Sequence, residues 1–387
     1  MSIASISKLK KIKNRRCLVV SCGGSQGGIQ CLYFTSNGQT WEILAHSKIS
    51  YTQRIIAIQE ILNSGSFSDL NPSDLAYLDF KVSQLILECI KTTLAQTSRS
   101  VNTPHLVIFN KMTLWKCLTE ENCQQIYWDV SAGDPQLIAS SLNTPVFSDF
   151  ARNNLIAGGT GAIPVNPGNR IILSKCPGIT MLLNIGIFSH LTIIDTSRST
   201  VLVDSITGPG TCLIDSVAKS ILEVESFDRD GNLASMGKVD GELLNTLVSA
   251  PWFTKNGLKS AVSGQFDYIL DIPEVSKLPP YDRIATLTAL TARSIYNYYR
   301  TEYKDSNAPE RILISGGGAN NLTIQEYLKT YFQAIPISSI ETLTIPVDMR
   351  IPFALGLTVN ASISGVTVPF DNGTAPKVTS IGRWYIP

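Results

Sequence analysis

Residues 17–34 read CLVVSCGGSQGGIQCLYF, in which two apolar runs flank a turn that contains four glycines. The runs 17–22 and 29–34 predict two buried strands, and Asn37-Gly38 predicts a hairpin turn into a strand at 41–44. The glycines permit φ > 0 and leave backbone N–H groups accessible to an anion. The alternative is an ordinary hairpin, because many hairpins have glycine turns. The candidate phosphate-binding residues of this turn are Gly23, Gly24, Ser25 and Gly28.

The second half of the chain repeats this pattern. Residues 180–186 and 191–195 predict another strand–turn–strand unit, with Gly186 at the turn. Between the two hairpins, the sequence predicts helices at about 52–63 and from Asn71-Pro72 to about 95. Two such hairpins predict duplicated halves, each of which offers one phosphate-binding loop to a cleft between them.

Two further glycine segments of the second half are candidates for nucleotide binding. Residues 207–210, Thr-Gly-Pro-Gly, precede a predicted helix whose first N–H groups would suit an anion, and a turn followed by a helix cap is the alternative. Residues 311–315 predict a buried strand that runs into three glycines and then a helix. The candidate residues are Thr207, Gly208, Gly210, Gly316, Gly317, Gly318 and Ala319.

Residues 148–164 read SDFARNNLIAGGTGAIP and have the character of an active-site segment. An apolar strand at 145–147 leads to Asp149, whose carboxylate precedes a glycine-rich turn. Glycines without Cβ atoms let a ligand approach the backbone, although an ordinary tight turn would use them as well. The glycines of this turn are Gly158, Gly159 and Gly161.

The composition is that of a globular protein. A length of 387 residues predicts two domains, and a hydrophobic content of 44% can fill their cores. The formal net charge of +1 gives no electrostatic reason to expect a nucleic acid as partner. No apolar run reaches the ~18–20 residues of a membrane helix, so we expect no membrane partner.

The eight cysteines contain no C-x-x-C pair, and with three histidines they show no zinc-type spacing, so no metal ligands are predicted. Cysteines within apolar runs are typical of a reducing compartment, which favours the cytoplasm. Residues 1–16 hold six basic residues and no acidic one. They predict a solvated basic flap, with a mitochondrial import segment as the alternative.

Taken together, the motifs resemble the anhydro-N-acetylmuramic acid kinase family, which includes fungal levoglucosan kinases. The resemblance runs from about residue 18 to residue 385 in unbroken order. It implies a two-domain actin-like ATPase fold, an α/β class, with a central cleft. The implied domains are 1–177, joined by the tail 350–387, and 178–349. The motifs that carry it are Gly133-Asp134-Pro135, the 148–164 segment, Leu183-Asn184-Ile185-Gly186, 207–210, Gly237-Lys238-Val239-Asp240, Lys259-Ser260 and 316–319.

The resemblance also implies a reaction. In the family, water opens a 1,6-anhydro bridge while the freed O6 takes the γ-phosphoryl group of ATP, which implies ATP and Mg²⁺ as cofactors and a sugar as substrate. A homodimer is a further implied option. The implied sugar-binding residues are Gly158, Gly159, Gly161 and Lys259, and the nucleotide-binding residues are those of the four glycine segments.

The polar positions depart from the family pattern. Asn154 occupies the position of the family's aspartate that activates water, although Asp149 is retained. The two aspartates of the family's first hairpin are Gly27 and Gln30 here. Asn110-Lys111-Met112-Thr113 stands in place of the family's His-Gly-Gln-Thr. The chain also differs from the family pattern at Ile187, Ile206, Thr211 and Ser263-Gly264.

These departures leave three hypotheses, and whether the chain is an enzyme stays open. An amide cannot take a proton from water, so the first is a catalytically impaired member that retains nucleotide binding. The second is an active kinase on another sugar, whose free hydroxyl needs no hydrolytic water. The third is a structural or partner-binding protein.

Overall fold

The computed structural model describes residues 3–23, 27–64, 69–121, 124–157, 159, 161–222, 227–262, 264–305, 307–365 and 381–387. The chain divides into two compact units. Unit 1 comprises Met1–Ile172 with Ile351–Pro387, and unit 2 comprises Leu173–Arg350. None of the helices in these described ranges combines the length and the hydropathy of a membrane span.

Both units contain strands and helices. The strands are β1 Arg15–Cys22, β2 Ile29–Ser36, β3 Trp41–Ile49, β4 Leu106–Asn110, β5 Met112–Glu121, β6 Gln124–Ala132, β7 Val146–Ser148, β8 Ile179–Ile185, β9 Phe188–Asp195, β10 Thr200–Pro209, β11 Arg311–Ser315, β12 Ile337–Ser339 and β13 Arg383–Tyr385. The helices are α1 Ile3–Lys11, α2 Gln53–Ser64, α3 Pro72–Leu94, α4 Pro135–Leu142, α5 Phe150–Ile156, α6 Asn166–Ile172, α7 Cys212–Ile221, α8 Asn232–Met236, α9 Gly241–Val248, α10 Pro251–Thr254, α11 Pro273–Ser276, α12 Pro280–Glu302, α13 Leu322–Phe332 and α14 Arg350–Ile363.

Unit 1 contains a six-stranded sheet in the order β13-β7-β4-β1-β2-β3. The predicted hairpin is confirmed, because β1 and β2 pair antiparallel, and β2 pairs in the same sense with β3. Strand β1 is parallel to β4, and β4 is parallel to β7. The C-terminal strand β13 pairs antiparallel with β7, so the tail returns to the first unit as predicted.

Unit 2 contains a five-stranded sheet in the order β10-β9-β8-β11-β12. Its antiparallel pairs are β8–β9 and β9–β10, and its parallel pairs are β8–β11 and β11–β12. This order repeats that of β3-β2-β1-β4-β7 with the same strand directions, so the predicted duplication and the α/β actin-like class are confirmed. Because the parallel strands of a unit end at one edge of its sheet, that edge is where ligands bind in such sheets.

Local sequence signals explain where several helices begin. Asn71 accepts a hydrogen bond from the Asp74 N–H while the Asp74 carboxylate accepts one from the Asn71 N–H, so a capping box starts α3. Asp134 caps α4 by accepting from Gln136 N at 2.8 Å, as the Gly-Asp-Pro motif predicts. These caps fix the residues at which both helices begin.

The N-terminal residues differ from the predicted solvated flap. Residues 3–11 form α1, in which Leu9 is buried, and Arg15 is part of β1 and only 1% exposed. The Arg15 guanidinium donates to the carbonyl of Leu9, to the side chain and carbonyl of Asn360, and to the Ser364 hydroxyl. A buried arginine needs such partners, and they tie α1 to α14 within unit 1.

Candidate functional site

Three of the predicted glycine segments converge in unit 2. A Cβ atom on Gly210 would lie 2.0 Å from the Gly186 carbonyl oxygen, and Thr211 N donates to that oxygen at 2.8 Å. A Cβ atom on Gly318 would lie 2.4 Å from a side-chain methyl of Ile185. Only glycine allows these approaches, so the β8–β9 turn, residues 207–211 and residues 316–319 form one glycine cluster.

Within this cluster, Gly317 has no atom within 4 Å of the position that a Cβ atom would occupy. Gly316 adopts φ +86°, and its N–H donates to the Val347 carbonyl at 2.7 Å, which fixes the turn that ends β11. Ala319 N in turn donates to Gly316 O at 3.0 Å. The backbone at Gly317 is therefore held rigidly and open on one side, as a backbone that meets a ligand would be.

Thr207 and Gly208 have packing roles. The Thr207 hydroxyl is buried and donates to the Ser189 carbonyl at 3.3 Å. A Cβ atom on Gly208 would lie 2.6 Å from Ser294 Oγ of α12. These two residues pack β10 against β9 and α12, whereas Gly210 is part of the glycine cluster.

Asp215 in the first turn of α7 is a candidate that sequence reasoning missed. Burial raises the pKa of the Asp215 carboxyl to about 7; a hydrogen bond with Thr211 opposes the rise, and the charge of Asp228 adds to it. A carboxyl that exchanges its proton near neutral pH suits a functional site. The sequence signal that could have identified Asp215 is its position one helical turn beyond Gly210.

A polar network lies beside the glycine cluster. Arg350, which is 1% exposed, donates from Nε to Ser315 Oγ at 2.8 Å, and Ser315 donates to Asn184 Oδ1 at 3.2 Å. Burial lowers the pKa of Arg350 to about 10, and the charge of Asp204 opposes this shift. His190 lies opposite Asn184 in the β8–β9 register.

The first hairpin turn of unit 1 is partly described. Gly23 N donates to Gly28 O at 2.9 Å, and Gly23 O accepts the Tyr51 hydroxyl at 3.0 Å. Gly28 adopts φ +64°, and a Cβ atom there would lie 2.4 Å from Ile49 O. Gly28 is thus required by the backbone itself. The predicted residues Gly24 and Ser25 lie outside the described residues.

Asp149 lies where β7 ends, in the left-handed conformation with φ +64°, which is uncommon outside glycine. Its Oδ1 pairs with Lys111 Nζ at 3.3 Å, and its Oδ2 accepts the Tyr385 hydroxyl. Burial raises the pKa of Tyr385, and the hydrogen bond and charge of Asp149 raise it further. Both carboxylate oxygens of Asp149 therefore have partners within unit 1.

Asn154 holds the glycine turn that follows α5. Gly161 N and Ala162 N donate to Asn154 Oδ1 at 2.7 and 3.2 Å, and Gly159 N donates to the Asn154 carbonyl at 2.8 Å. The side chain of Asn154 is buried. The predicted residue Gly158 lies outside the described residues, whereas Gly159 and Gly161 are shaped by Asn154.

Lys259 belongs to unit 2 and is buried. Its Nζ donates to the Phe253 carbonyl at 2.9 Å and lies 4.9 and 5.0 Å from the ring centres of Trp252 and Tyr298. Burial lowers the pKa of Lys259, while the charge of Glu302 opposes this and that of Lys255 adds to it. The ammonium is thus engaged by a carbonyl and two aromatic faces.

The metal that the resemblance implies has no matching set of protein ligands. In the described part of the chain, no three His, Cys, Asp or Glu side chains gather in a way that could hold an ion. Among the described residues there is therefore no metal site built by the protein alone, and no step of a reaction is derived through Mg²⁺.

Comparison with known proteins identifies close likenesses. The family model described as anhydro-N-acetylmuramic acid kinase matches residues 15–386. The chain is 25% identical to the anhydro-N-acetylmuramic acid kinase of Salinibacter ruber, over 81% of each protein. It is 28% identical to that of Bacillus cereus, over 70% of this chain and 71% of the relative.

One solved structure shows a more distant likeness. Component A of (R)-2-hydroxyglutaryl-CoA dehydratase from Acidaminococcus fermentans matches with a TM-score of 0.45 and 11% identity, over 90% of this chain and 99% of that chain.

Proposed function

The chain belongs to the anhydro-N-acetylmuramic acid kinase family, and from this premise we propose that it binds ATP at the unit 2 glycine cluster but is impaired in transfer to anhydro sugars. The observation that carries the impairment is the hydrogen bonding of Asn154. Its amide oxygen already accepts two N–H groups of the glycine turn, and its amide nitrogen has no basic lone pair. Losing a general base typically costs ~10²–10⁴-fold in rate.

Asp149 does not replace this base in the proposal. A carboxylate whose two oxygens already accept hydrogen bonds from an ammonium and a phenol hydroxyl has neither oxygen left to orient and deprotonate a water molecule. Lys111 and Tyr385 fill these two positions. Asp149 instead serves to position groups at the end of β7.

ATP binding is supported by the rigid, open backbone at Gly317 and by the convergence of the other glycine segments on it. The missing carboxylates at positions 27 and 30 leave the nucleotide's own phosphates as the main ligands for any Mg²⁺. The homodimer, the cytoplasmic localisation and the domain boundaries given above stay predictions.

Isothermal titration with ATP, with and without Mg²⁺, tests nucleotide binding. Coupled assays with 1,6-anhydro-N-acetylmuramic acid and levoglucosan test the transfer. We expect heat from ATP binding and phosphorylation of either sugar at least ~10²-fold below that of an active relative such as the Bacillus cereus enzyme. A rate that matches the relative would refute the impairment, and the absence of ATP heat would refute the nucleotide site.

A second function is phosphoryl transfer to a sugar that already carries a free hydroxyl, such as a glucose-like or amino sugar. The retention of Asp149 at the end of β7 favours it, because a positioned carboxylate can hold an acceptor hydroxyl without hydrolytic water. In a screen of such sugars, this function requires transfer that Asp149→Ala abolishes.

A further inference from the structure

An imidazole–carboxylate pair in unit 2 is used by none of the roles described above. His190 of β9 places Nε2 3.3 Å from Oδ1 of Asp204 on β10, and both side chains are 24% exposed. The Thr192 hydroxyl, which is buried, donates to the same Asp204 oxygen at 2.9 Å. A carboxylate that fixes an imidazole in this way is the arrangement that orients a histidine base in many enzymes.

The contacts determine which ring nitrogen can accept a proton. With its proton on Nε2, the imidazole donates to Asp204, whereas a lone pair there would face the negative oxygen. Thr192 Oγ1 lies 3.4 Å from Nδ1, but its proton is given to Asp204. The Nδ1 lone pair therefore receives no proton from Thr192, so Nδ1 is the ring nitrogen that would take a proton from water.

The histidine of the pair also lies on the strand that follows the β8–β9 turn of the glycine cluster. His190 is directly opposite Asn184 in the β8–β9 register, and Asn184 is two residues before Gly186. Residues directly opposite on antiparallel strands have Cβ atoms about 4.5–5.5 Å apart. Asn184 accepts the hydroxyl of Ser315, the residue that precedes Gly316. The register neighbour of His190 thus precedes one segment of the cluster in sequence and accepts a hydrogen bond from the residue that precedes another.

We propose that His190, oriented by Asp204, is the proton acceptor for hydrolysis of ATP bound at the glycine cluster. The inference rests on the nucleotide binding proposed above and adds an activity that needs no sugar. The oxygen of a water molecule bonds to the γ-phosphorus as the bond from that phosphorus to the β–γ bridging oxygen breaks. One water proton passes to His190 Nδ1, and ADP and inorganic phosphate leave.

The charges around His190 keep it in the basic form at neutral pH. Burial lowers the pKa of His190, the carboxylate of Asp204 opposes this, and the guanidinium of Arg350 adds to the lowering. A neutral imidazole at pH 7 can take a proton, whereas an imidazolium cannot. The rate of phosphate release should therefore stay constant around neutral pH and fall towards acidic pH.

The main test measures phosphate release from ATP with Mg²⁺ by the full-length chain and by His190→Asn. The matched control is His46→Asn, the same substitution at an exposed histidine of β3. We expect release to fall ~10²-fold or more in His190→Asn and to stay unchanged in the control. Titration of each variant with ATP should give the heat of the unaltered protein, which excludes misfolding.

Asp204→Asn separates a catalytic from a structural role. Removal of the carboxylate that raises the imidazole pKa should move the acidic fall in rate to lower pH, in addition to lowering the rate. ATP binding without phosphate release in the unaltered protein would overturn this inference and leave the proposed function standing. An unchanged rate in His190→Asn would overturn it too, and a chain that binds no ATP would overturn both.

Discussion

Asn154, at the position that the sequence resemblance assigns to an aspartate of the family, fixes the backbone of the glycine turn through its side chain. Two N–H groups point at its Oδ1, and a third points at its carbonyl. An aspartate could accept the same two bonds and keep its second oxygen for water, although N–H donors lower the pKa of a carboxyl and so weaken it as a base. The identity of residue 154 could be read from the sequence, but its hydrogen bonds could not.

The first prediction concerns this residue. Asn154→Ala leaves the N–H groups of Gly161 and Ala162 without their acceptor and should lower the free energy of unfolding by about 1–3 kcal/mol. Asn154→Asp keeps an acceptor at the same place and should cost less. Urea unfolding of the three proteins measures this. Equal losses in both variants would contradict the proposed role of the amide oxygen.

Gly28 provides the second prediction at this scale. Gly28→Ala adds both a left-handed strain of about 1–2 kcal/mol and a Cβ atom 2.4 Å from Ile49 O. Gly257→Ala is the matched control, because Gly257 has φ +79° but no atom within 4 Å of the added Cβ. We expect Gly28→Ala to lower the urea midpoint clearly more than the control. Similar midpoints would mean that the hairpin can shift away from Ile49.

At the scale of elements, the sequence predicted those whose ends carry strong signals. The glycine turn located β1 and β2, and Asn71-Pro72 located the start of α3. The hairpin β5–β6 was missed, and so was α5, whose first residue follows Asp149 without a side-chain cap. The pair between Lys111 and Asp149 could not be foreseen either, because only the sheet brings the ends of β4 and β7 together.

The start of α7 gives a pH prediction. The pKa of Asp215 is about 7 in the folded protein, against an ordinary value of 3.8. Between these values the folded state holds more protons than the unfolded state, so stability falls as the pH rises, by at most about 1.4 kcal/mol per unit from this group. Above pH 7 the stability that the protonated Asp215 carboxyl contributes is lost completely. Asp215→Asn should flatten this slope.

Urea unfolding at pH 5 and pH 8 measures the difference. The unaltered protein should lose stability between these pH values, and Asp215→Asn should lose less. Glu274→Gln, at an exposed acidic residue of α11, should behave as the unaltered protein does. A slope that Asp215→Asn leaves intact would place the responsible group elsewhere.

At the scale of the whole molecule, the repeated scaffold can be considered apart from the chemistry that we propose is impaired. Both sheets keep the repeated strand order, and the glycines that let backbones approach are present in both units. The positions at which the sequence resemblance implies other residues in the family, such as Gly27, Asn154 and Ile206, are distributed over both units. Phosphoryl transfer depends on a base, a metal and positioning at the same time, so losses in separate places multiply.

The last prediction follows from this distribution. The double variant Asn154→Asp with Gly27→Asp returns the carboxylate at the position of the family's base and one of the hairpin carboxylates. Because the positions of Gln30, Ile206 and Ser263 stay altered, we expect phosphorylation of 1,6-anhydro-N-acetylmuramic acid to remain at least ~10²-fold below that of the Bacillus cereus relative. The family resemblance implies that a carboxylate at position 27 serves the metal, so ATP titration of the double variant should depend more strongly on Mg²⁺ than that of the unaltered chain. A double variant that reaches the relative's rate would show that two side chains account for the whole loss.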